Sequence, residues 1–487
     1  MLCSVDETVV REQAVKSLIL LAECLSDNEM QNIFAPLLLK IGQNESFMCR
    51  VSCCSLIISA YSRSGSIKEK LRKRFVDFCN EDSPMIRRAA ASRIGKFASC
   101  IEKEFLISDL IPALKRLSSD EQDSIRVLCL ESLIQIAQTL NKEDNQRHIL
   151  SILISSSEDK SWKVRLGVAQ NFADLSKSFG KEITDKDLVS KFGNLLKDGE
   201  ADVRAASIKN LKNCTKIISP DKLTTFIIPI IINMTQDSSP IVRAGLADTI
   251  GELSVALGKE LTIQKLLPVL QELLKDENHE AKLNAVNSLL KVASVAGSET
   301  INGPILIALN NLTKEGQWRV RQVVFEACAN LGKIFGKEFF IKNIEPIFFV
   351  YLSDTASAVR ESGVNKVSEL ANEFKSDWII NSLIPKVLEI INKEKIGYLY
   401  RIACLNSLHS ASSFLSKESV AANIVPLLIK LAKDPIPNVR FTVAKIIKKM
   451  ITKFDSQTLG SKIKTIILEL SSDTDKEVQY FAKLCQN

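Results

Sequence analysis

Histidine is nearly absent from this chain: three in 487 residues, at His148, His279 and His409. No HExxH, GxSxG, P-loop or GxGxxG pattern occurs either. The chain therefore lacks the short motifs by which side chains or backbone amides assemble a catalytic or nucleotide-binding centre. Glycine (18) and proline (13) are few, which argues against long disordered linkers. Twelve cysteines are present, but no CxxC pair, so neither a zinc nor a dithiol pattern can be drawn. Apolar runs such as residues 226–234 are too short for a bilayer span and are interrupted by Pro229. The first six residues carry no basic flank and no long apolar run, so they do not read as a signal peptide. A net charge of +7 is mild and spread along the chain, and by itself implies no nucleic acid. These absences predict a protein without enzymatic activity, cofactor, metal, membrane or nucleic-acid partner, in a reducing compartment, cytoplasmic or nuclear.

What is present is a period. Asp159 is followed, after four residues, by Val164-Arg165. The same skeleton joins Asp198 to Val203-Arg204, Asp237 to Val242-Arg243, Asp354 to Val359-Arg360 and Asp434 to Val439-Arg440. Variants run from Asp120 to Ile125-Arg126, Glu315 to Val320-Arg321 and Asp276 to Ala281-Lys282. The basic position falls at Arg11, Arg50, Arg87, Arg126, Arg165, Arg204, Arg243, Lys282, Arg321, Arg360, Arg401 and Arg440, with Gln479 closing the series. Successive differences are 39, 37, seven of 39, then 41, 39 and 39. A period near 40 marks a solenoid of helical hairpins of the HEAT or armadillo type, in which each repeat touches only its neighbours. The expected fold is an all-α, right-handed solenoid of about thirteen HEAT repeats, one body over residues 1–487.

One period shows the hairpin. Ile107, Leu110, Ile111, Leu114 and Leu117 recur at helical spacing and predict a first helix. Residues 118–123 are polar and make the turn, with Asp and Ser side chains suited to capping the next helix. Ile125, Leu128, Cys129, Leu133, Ile136, Ala137 and Leu140 form one face of the second helix. Cysteines at that face, such as Cys53, Cys129 and Cys404, read as small buried residues. Pro36, Pro112, Pro229, Pro268, Pro346 and Pro426 each lie 14 residues before a basic position, and Pro385 lies 16 before Arg401. Proline inside a helix removes a hydrogen bond, so it is expected to bend each first helix at one place. Residues 1–6 are too short to supply a first helix before Arg11. The reading there is a fragment, or an end covered by something else.

Equivalent turns of a stack line up along one edge. The acid and base of the period are therefore expected to form a structural hydrogen-bonded ladder, the base meeting the acid of its own or the next repeat. The residues between them vary, and project where a partner can be recognised. Trp162, Trp318, Tyr398, Tyr400 and Tyr480 fall within a few residues of the basic position, at these turns. Tryptophan, tyrosine and arginine are the usual anchors of protein–protein contacts. Lys68, Lys70, Arg72, Lys73 and Arg74 form a basic cluster, read first as a solvated helix face and second as a phosphate or nucleic-acid site.

The turns themselves carry a resemblance. Residues 81–92 (Glu-Asp-Ser-Pro-Met-Ile-Arg-Arg-Ala-Ala-Ala-Ser), 120–126, 158–165, 318–321, 336–340 and 438–441 resemble repeats of the scaffold (A) subunit family of protein phosphatase 2A, in register from about Glu7 to the C-terminus. The resemblance implies a fifteen-repeat horseshoe without catalysis of its own. Its last five repeats hold the phosphatase catalytic subunit and its earlier ones an exchangeable regulatory subunit of B type. Thirteen basic positions would correspond to the third to fifteenth repeats. Carried over by position, Asp82, Pro84, Met85, Arg87, Arg88, Ser161 and Trp162 fall in turns used for regulatory subunits. Trp318, Arg319, Tyr398, Arg401, Asn438, Arg440 and Tyr480 fall in turns facing the catalytic subunit. The implied division is residues 1–300 for the regulatory and 301–487 for the catalytic subunit. Lys163 departs from the arginine usual in the family, as does the positive net charge from its usual acidity. A nuclear transport receptor of HEAT type, or another adaptor, is the alternative reading.

Overall fold

The computed structural model describes residues 2–301, 303–393 and 396–486. Among them the regular elements are all helical. The second helices of the hairpins follow the period: Thr8–Cys24, Phe47–Tyr61, Pro84–Ala91 with Ile94–Ala98, Asp123–Thr139, Trp162–Phe179, Ala201–Cys214, Pro240–Leu261, His279–Ala296, Trp318–Phe335, Ser357–Trp378, Tyr398–Ala411, Pro437–Lys449 and Lys476–Lys483. The chain divides into two compact units, residues 1–249 and 250–487, and each is a stack of such hairpins, an α-solenoid.

Burial explains the stacking. In Asp123–Thr139 the buried apolar side chains are Ile125, Cys129, Leu130, Leu133, Ile136 and Ala137, one stripe at helical spacing, with Arg126 and Ser132 buried beside them. It faces Leu106, Leu110, Ile111, Ala113, Leu114 and Leu117 of its own first helix. Each fully buried Leu or Ile contributes roughly 1.5–3 kcal/mol relative to exposure, so no single hairpin can stand without a neighbour to cover its other face. Two positions differ from the sequence expectation: Leu106 rather than Ile107 is buried, and Leu130 is more buried than Leu128.

The reason for the first difference lies in the first helix, which is not a straight α-helix. Residues Leu106–Leu110 form a π turn, whose extra residue rotates the chain before α-helix resumes at Ile111–Leu117. Such turns recur at Met30–Phe34, Leu223–Ile227, Thr262–Leu266, Phe340–Ile344 and Ile379–Leu383, each followed by a proline-bearing helix. They also occur at Asn145–Ile149, Thr184–Leu188 and Leu459–Ile463, where Ser151, Ser190 and Thr465 stand in place of proline. The π turn, then, makes the irregularity. Proline sits just after it, in the first turn of the following helix, where a missing N–H costs little.

All twelve cysteines are free thiols. Cys53, Cys129 and Cys404 are fully or almost fully buried, and burial pushes the Cys53 thiol up to about 12, so it packs as a small apolar residue. Trp378 is buried in the second unit among Phe340, Phe349 and Phe374, its indole N–H donating to Glu345 at 3.0 Å.

Candidate docking ridge on the turns

Each turn is tied in three directions. Asp159 accepts the Ser161 N–H through Oδ1 at 2.8 Å, closing a local turn of the Asx kind. Its backbone carbonyl accepts Arg165 Nη1 at 2.7 Å, so the base clamps its own turn. Its carboxylate accepts both Nε (2.7 Å) and Nη2 (2.8 Å) of Arg126, the base one repeat earlier. The ladder therefore links neighbouring repeats, the base reaching the acid 33 residues onward. The pattern repeats for Arg87–Asp120, Arg165–Asp198 and Arg204–Asp237 in the first unit. In the second unit it joins Arg321 to Asp354, Arg401 to Asp434 and Arg440 to Asp473, with Lys282–Glu315 as a lysine version.

These rungs are largely withdrawn from water, with 4% side-chain exposure for Arg126 and 10% for Asp159. Burial pushes the Asp159 carboxyl up, but the Arg126 fork and the Ser161 N–H together outweigh it and hold the group below the usual carboxylate range. Asp198 and Asp237 behave alike, and at Asp473 the Arg440 hydrogen bond is the leading cause. Bidentate, charge-assisted pairs of this kind fix geometry as well as adding stability.

Pinned on both flanks, the residues between acid and base form a ridge. Trp162 (36% exposed) and Trp318 (38%) each open a second helix, three residues before the base. Met85 in the first unit and Tyr398 in the second hold the equivalent place in their own turns and are exposed. Tyr480 is 60% exposed and stands edge-on to Phe481. The Arg319 guanidinium lies 5.5 Å from the Trp318 ring centre, a preformed cation–π pair. Asp82, Arg88 and Asn438 are exposed, and Pro84 begins the helix Pro84–Ala91. Ser161 donates its hydroxyl to Asp123 of the neighbouring turn at 3.0 Å.

Arg87, Arg401 and Arg440 are placed differently from their ridge neighbours. Their guanidiniums are the ladder bases facing Asp120, Asp434 and Asp473. Any contact they make with a partner is in addition to that structural role. The first-unit set thus falls in two turns, at 82–88 and 161–162, and the second-unit set in four. Ile241 (68%) in the first unit and Leu399 (40%) in the second are among the exposed apolar side chains of the turns that escaped the sequence reading. Both stand two residues before a base, as Met85 and Arg319 do, so the spacing could have found them had aliphatic residues been counted.

The basic cluster at 68–74 is mostly neutralised. Arg72 pairs with Asp109 at 2.6 Å and stacks on Phe105 at 3.5 Å, while Lys68, Lys73 and Arg74 face Glu102, Glu69 and Asp77. Among the described residues no His/Cys/Asp/Glu group is arranged to hold a metal ion, and no helix is long and apolar enough to cross a membrane.

Comparison with known proteins agrees with this architecture. The model of the PPP2R1A-like HEAT repeat matches residues 181–258, and the model of the HEAT repeat matches residues 424–454. An A-type regulatory subunit of protein phosphatase PP2A from Schizosaccharomyces pombe is 36% identical over 151 residues, 31% of this chain and 26% of the relative. A probable serine/threonine-protein phosphatase PP2A regulatory subunit from Caenorhabditis elegans is 40% identical over 149 residues, 30% of this chain and 25% of the relative. The aligned stretch thus spans about a quarter of the length of these relatives. Among solved structures, the karyopherin Kap121p bound to Nup53p superposes with a TM-score of 0.67 at 15% identity, covering 99% of this chain and 51% of that one. Kap95p, solved with RanGDP, gives 0.61 at 15%, covering 99% and 65%. At that identity the likeness is one of fold alone. The stacked hairpins, their laddered turns and these matches together show an α-solenoid of HEAT repeats, similar over part of its length to the A-type regulatory subunits of protein phosphatase 2A.

Proposed function

We propose that the chain is a non-catalytic scaffold of a Ser/Thr protein phosphatase 2A complex, holding a catalytic subunit and an exchangeable B-type regulatory subunit on its turn ridge. The mechanism is geometric: two proteins bound to one scaffold act on each other at high effective concentration, and the scaffold does no chemistry. In this reading residues 301–487 take the catalytic subunit and residues 1–300 the regulatory one, in the cytoplasm and also the nucleus. The observation that carries it is the row of exposed aromatic and arginine side chains, Trp318, Arg319, Tyr398 and Tyr480, held on turns that the ladder pins. Such residues, presented without the entropy of a mobile loop, are the type that dominates protein–protein affinity.

The test is a binding assay with purified phosphatase catalytic subunit. Trp318→Ala with Arg319→Ala is expected to weaken capture by roughly thirtyfold, the equivalent of about 2 kcal/mol, with an unchanged circular dichroism spectrum. Arg88→Glu is expected to weaken binding of a regulatory subunit and leave the catalytic one bound. Normal capture by the Trp318 and Arg319 double variant would remove the assignment of the last repeats. Binding of a Ran-type GTPase in place of a phosphatase subunit would favour the transport-receptor alternative.

A further inference from the structure

Four of the five cations that the sequence puts side by side, at 68–74, are paired; a second set, from separate helices, is brought together by folding. The second helices Thr8–Cys24, Phe47–Tyr61 and Pro84–Ala91 with Ile94–Ala98 line a groove of about 480 Å³ in the first unit. Arg11 and Lys16 come from the first of these helices, Arg93 and Lys96 from the region of the third. Glu12 is the one acid among the lining residues.

Lys16, Arg93 and Lys96 are without an ion-pair partner among the described residues. Arg11 is a ladder base whose rung is incomplete. It clamps its own turn through Val5 O (2.8 Å) and Asp6 O (3.2 Å), but Asn44 stands where the next repeat should supply an acid, 33 residues on. Its charge therefore meets no carboxylate among the described residues. Arg93 reaches the groove where the helix breaks: Pro84–Ala91 ends, Ser92 and Arg93 make a turn, and Ile94–Ala98 resumes, whereas the next second helix, Asp123–Thr139, is continuous.

We propose that this groove binds an extended, carboxylate-rich peptide segment of a partner protein. Three features select that occupant. The cations lie on helices that are not adjacent to one another, and packed helices are about 8–10 Å apart, so a single small anion cannot meet them all. A peptide carrying several acids can, since extended residues advance about 3.3 Å each. The rest of the lining includes hydroxyls (Ser55, Ser59, Ser92) and aliphatic side chains (Val15, Ile19), which suit backbone amides and small side chains. No aromatic lines the groove, so it has no platform for stacking nucleic-acid bases. The inference does not depend on the phosphatase reading, because the groove and the ridge use different residues.

The test is fluorescence anisotropy with the full chain and a labelled poly-glutamate peptide. Binding is expected, weakening as salt is raised because the charges are exposed. Arg93→Ala with Lys96→Ala is expected to weaken it by roughly fivefold to tenfold. Lys16→Glu, on a different helix, should weaken it independently. Lys448→Ala with Lys449→Ala, removing the same charge elsewhere, should leave it unchanged. The proposal is overturned if poly-glutamate does not bind, if the groove variants bind it as the parent does, or if the Lys448 and Lys449 control loses equally. Equal or tighter binding of single-stranded DNA of the same charge would overturn it too.

Discussion

Two rungs of the ladder occupy the same place in the repeat and are built differently. In the first unit, Arg165 meets Asp198 through two parallel hydrogen bonds, Nε to Oδ2 at 2.6 Å and Nη2 to Oδ1 at 2.9 Å. In the second, Lys282 offers one ammonium to Glu315 Oε2 at 2.7 Å, and His279 Nδ1 stands 3.4 Å from the other oxygen. Both pairs are shielded, with side-chain exposures of 20% and 7% against 13% and 17%. The difference is therefore one of donor geometry more than of solvent. A planar fork locks the angle between turns, whereas an ammonium on a flexible stem holds distance only. Repeats joined by the first kind should transmit a fixed orientation along the ridge. Repeats joined by the second should yield more easily.

The largest way to break this comparison is to delete one partner of each rung. Asp198→Ala leaves a largely buried guanidinium unpaired and is expected to cost about 3 kcal/mol, read by urea denaturation and by faster amide exchange in Trp162–Phe179. Glu315→Ala is expected to cost about 1 kcal/mol, since a lysine stem can swing its charge to water. Equal losses would show that fork geometry adds nothing here.

Acid titration comes next. The folded Asp198 carboxyl lies below its ordinary range: burial raises it, and the Arg165 fork with the Glu200 N–H lowers it further than burial raises it. A lowered folded pKa gives stability that is fully present above the unfolded value, near 4, and lost as pH falls through the folded one. Thermal melts should therefore fall more steeply below about pH 4 in the parent than in Asp198→Asn, which has no proton to take up there. Identical slopes would mean that this rung does not couple to acid unfolding.

A smaller effect sharpens the contrast by conversion. Lys282→Arg together with Glu315→Asp rebuilds the lysine rung as a fork and is expected to add up to about 1 kcal/mol. Either substitution alone should add less, because the reach changes without the matching partner. The smallest effect separates ridge from ladder: Ile241→Ser, at a side chain 68% exposed, should leave stability within about 0.5 kcal/mol. A large loss would make Ile241 part of the stacking and not of the docking edge.

The period, the acid and base slots, the second helices from Asp123–Thr139 onward and the apolar stripe of each were all legible in sequence. They follow from local rules: helical spacing of apolar residues, short polar turns and repetition. Even the exposed ridge was partly legible, because a tryptophan at a turn has no place in a stripe that is already full. The π turns were less so. Proline pointed to the right place in six repeats, yet the same turn forms around Ser151, Ser190 and Thr465, where no single residue announces it.

What the chain determined by itself is thus the hairpin and its repetition, since both rest on contacts within about forty residues of one another. Tertiary structure alone decided which acid each base meets. Sequence spacing leaves open the acid of its own turn, six residues back, and that of the next, 33 residues on; stacking brings the second carboxylate beside the fork while the first offers its backbone carbonyl. Tertiary structure also decided which charges stay unpaired. Of the five basic residues at 68–74, Lys68 and Arg72 meet Glu102 and Asp109 of the next hairpin, while Lys73 and Arg74 meet acids of their own helix; Lys16 is brought by folding into one groove with Arg93 and Lys96. Charge is a property of the residue, but its neutralisation depends on distances that exist only once the helices are packed.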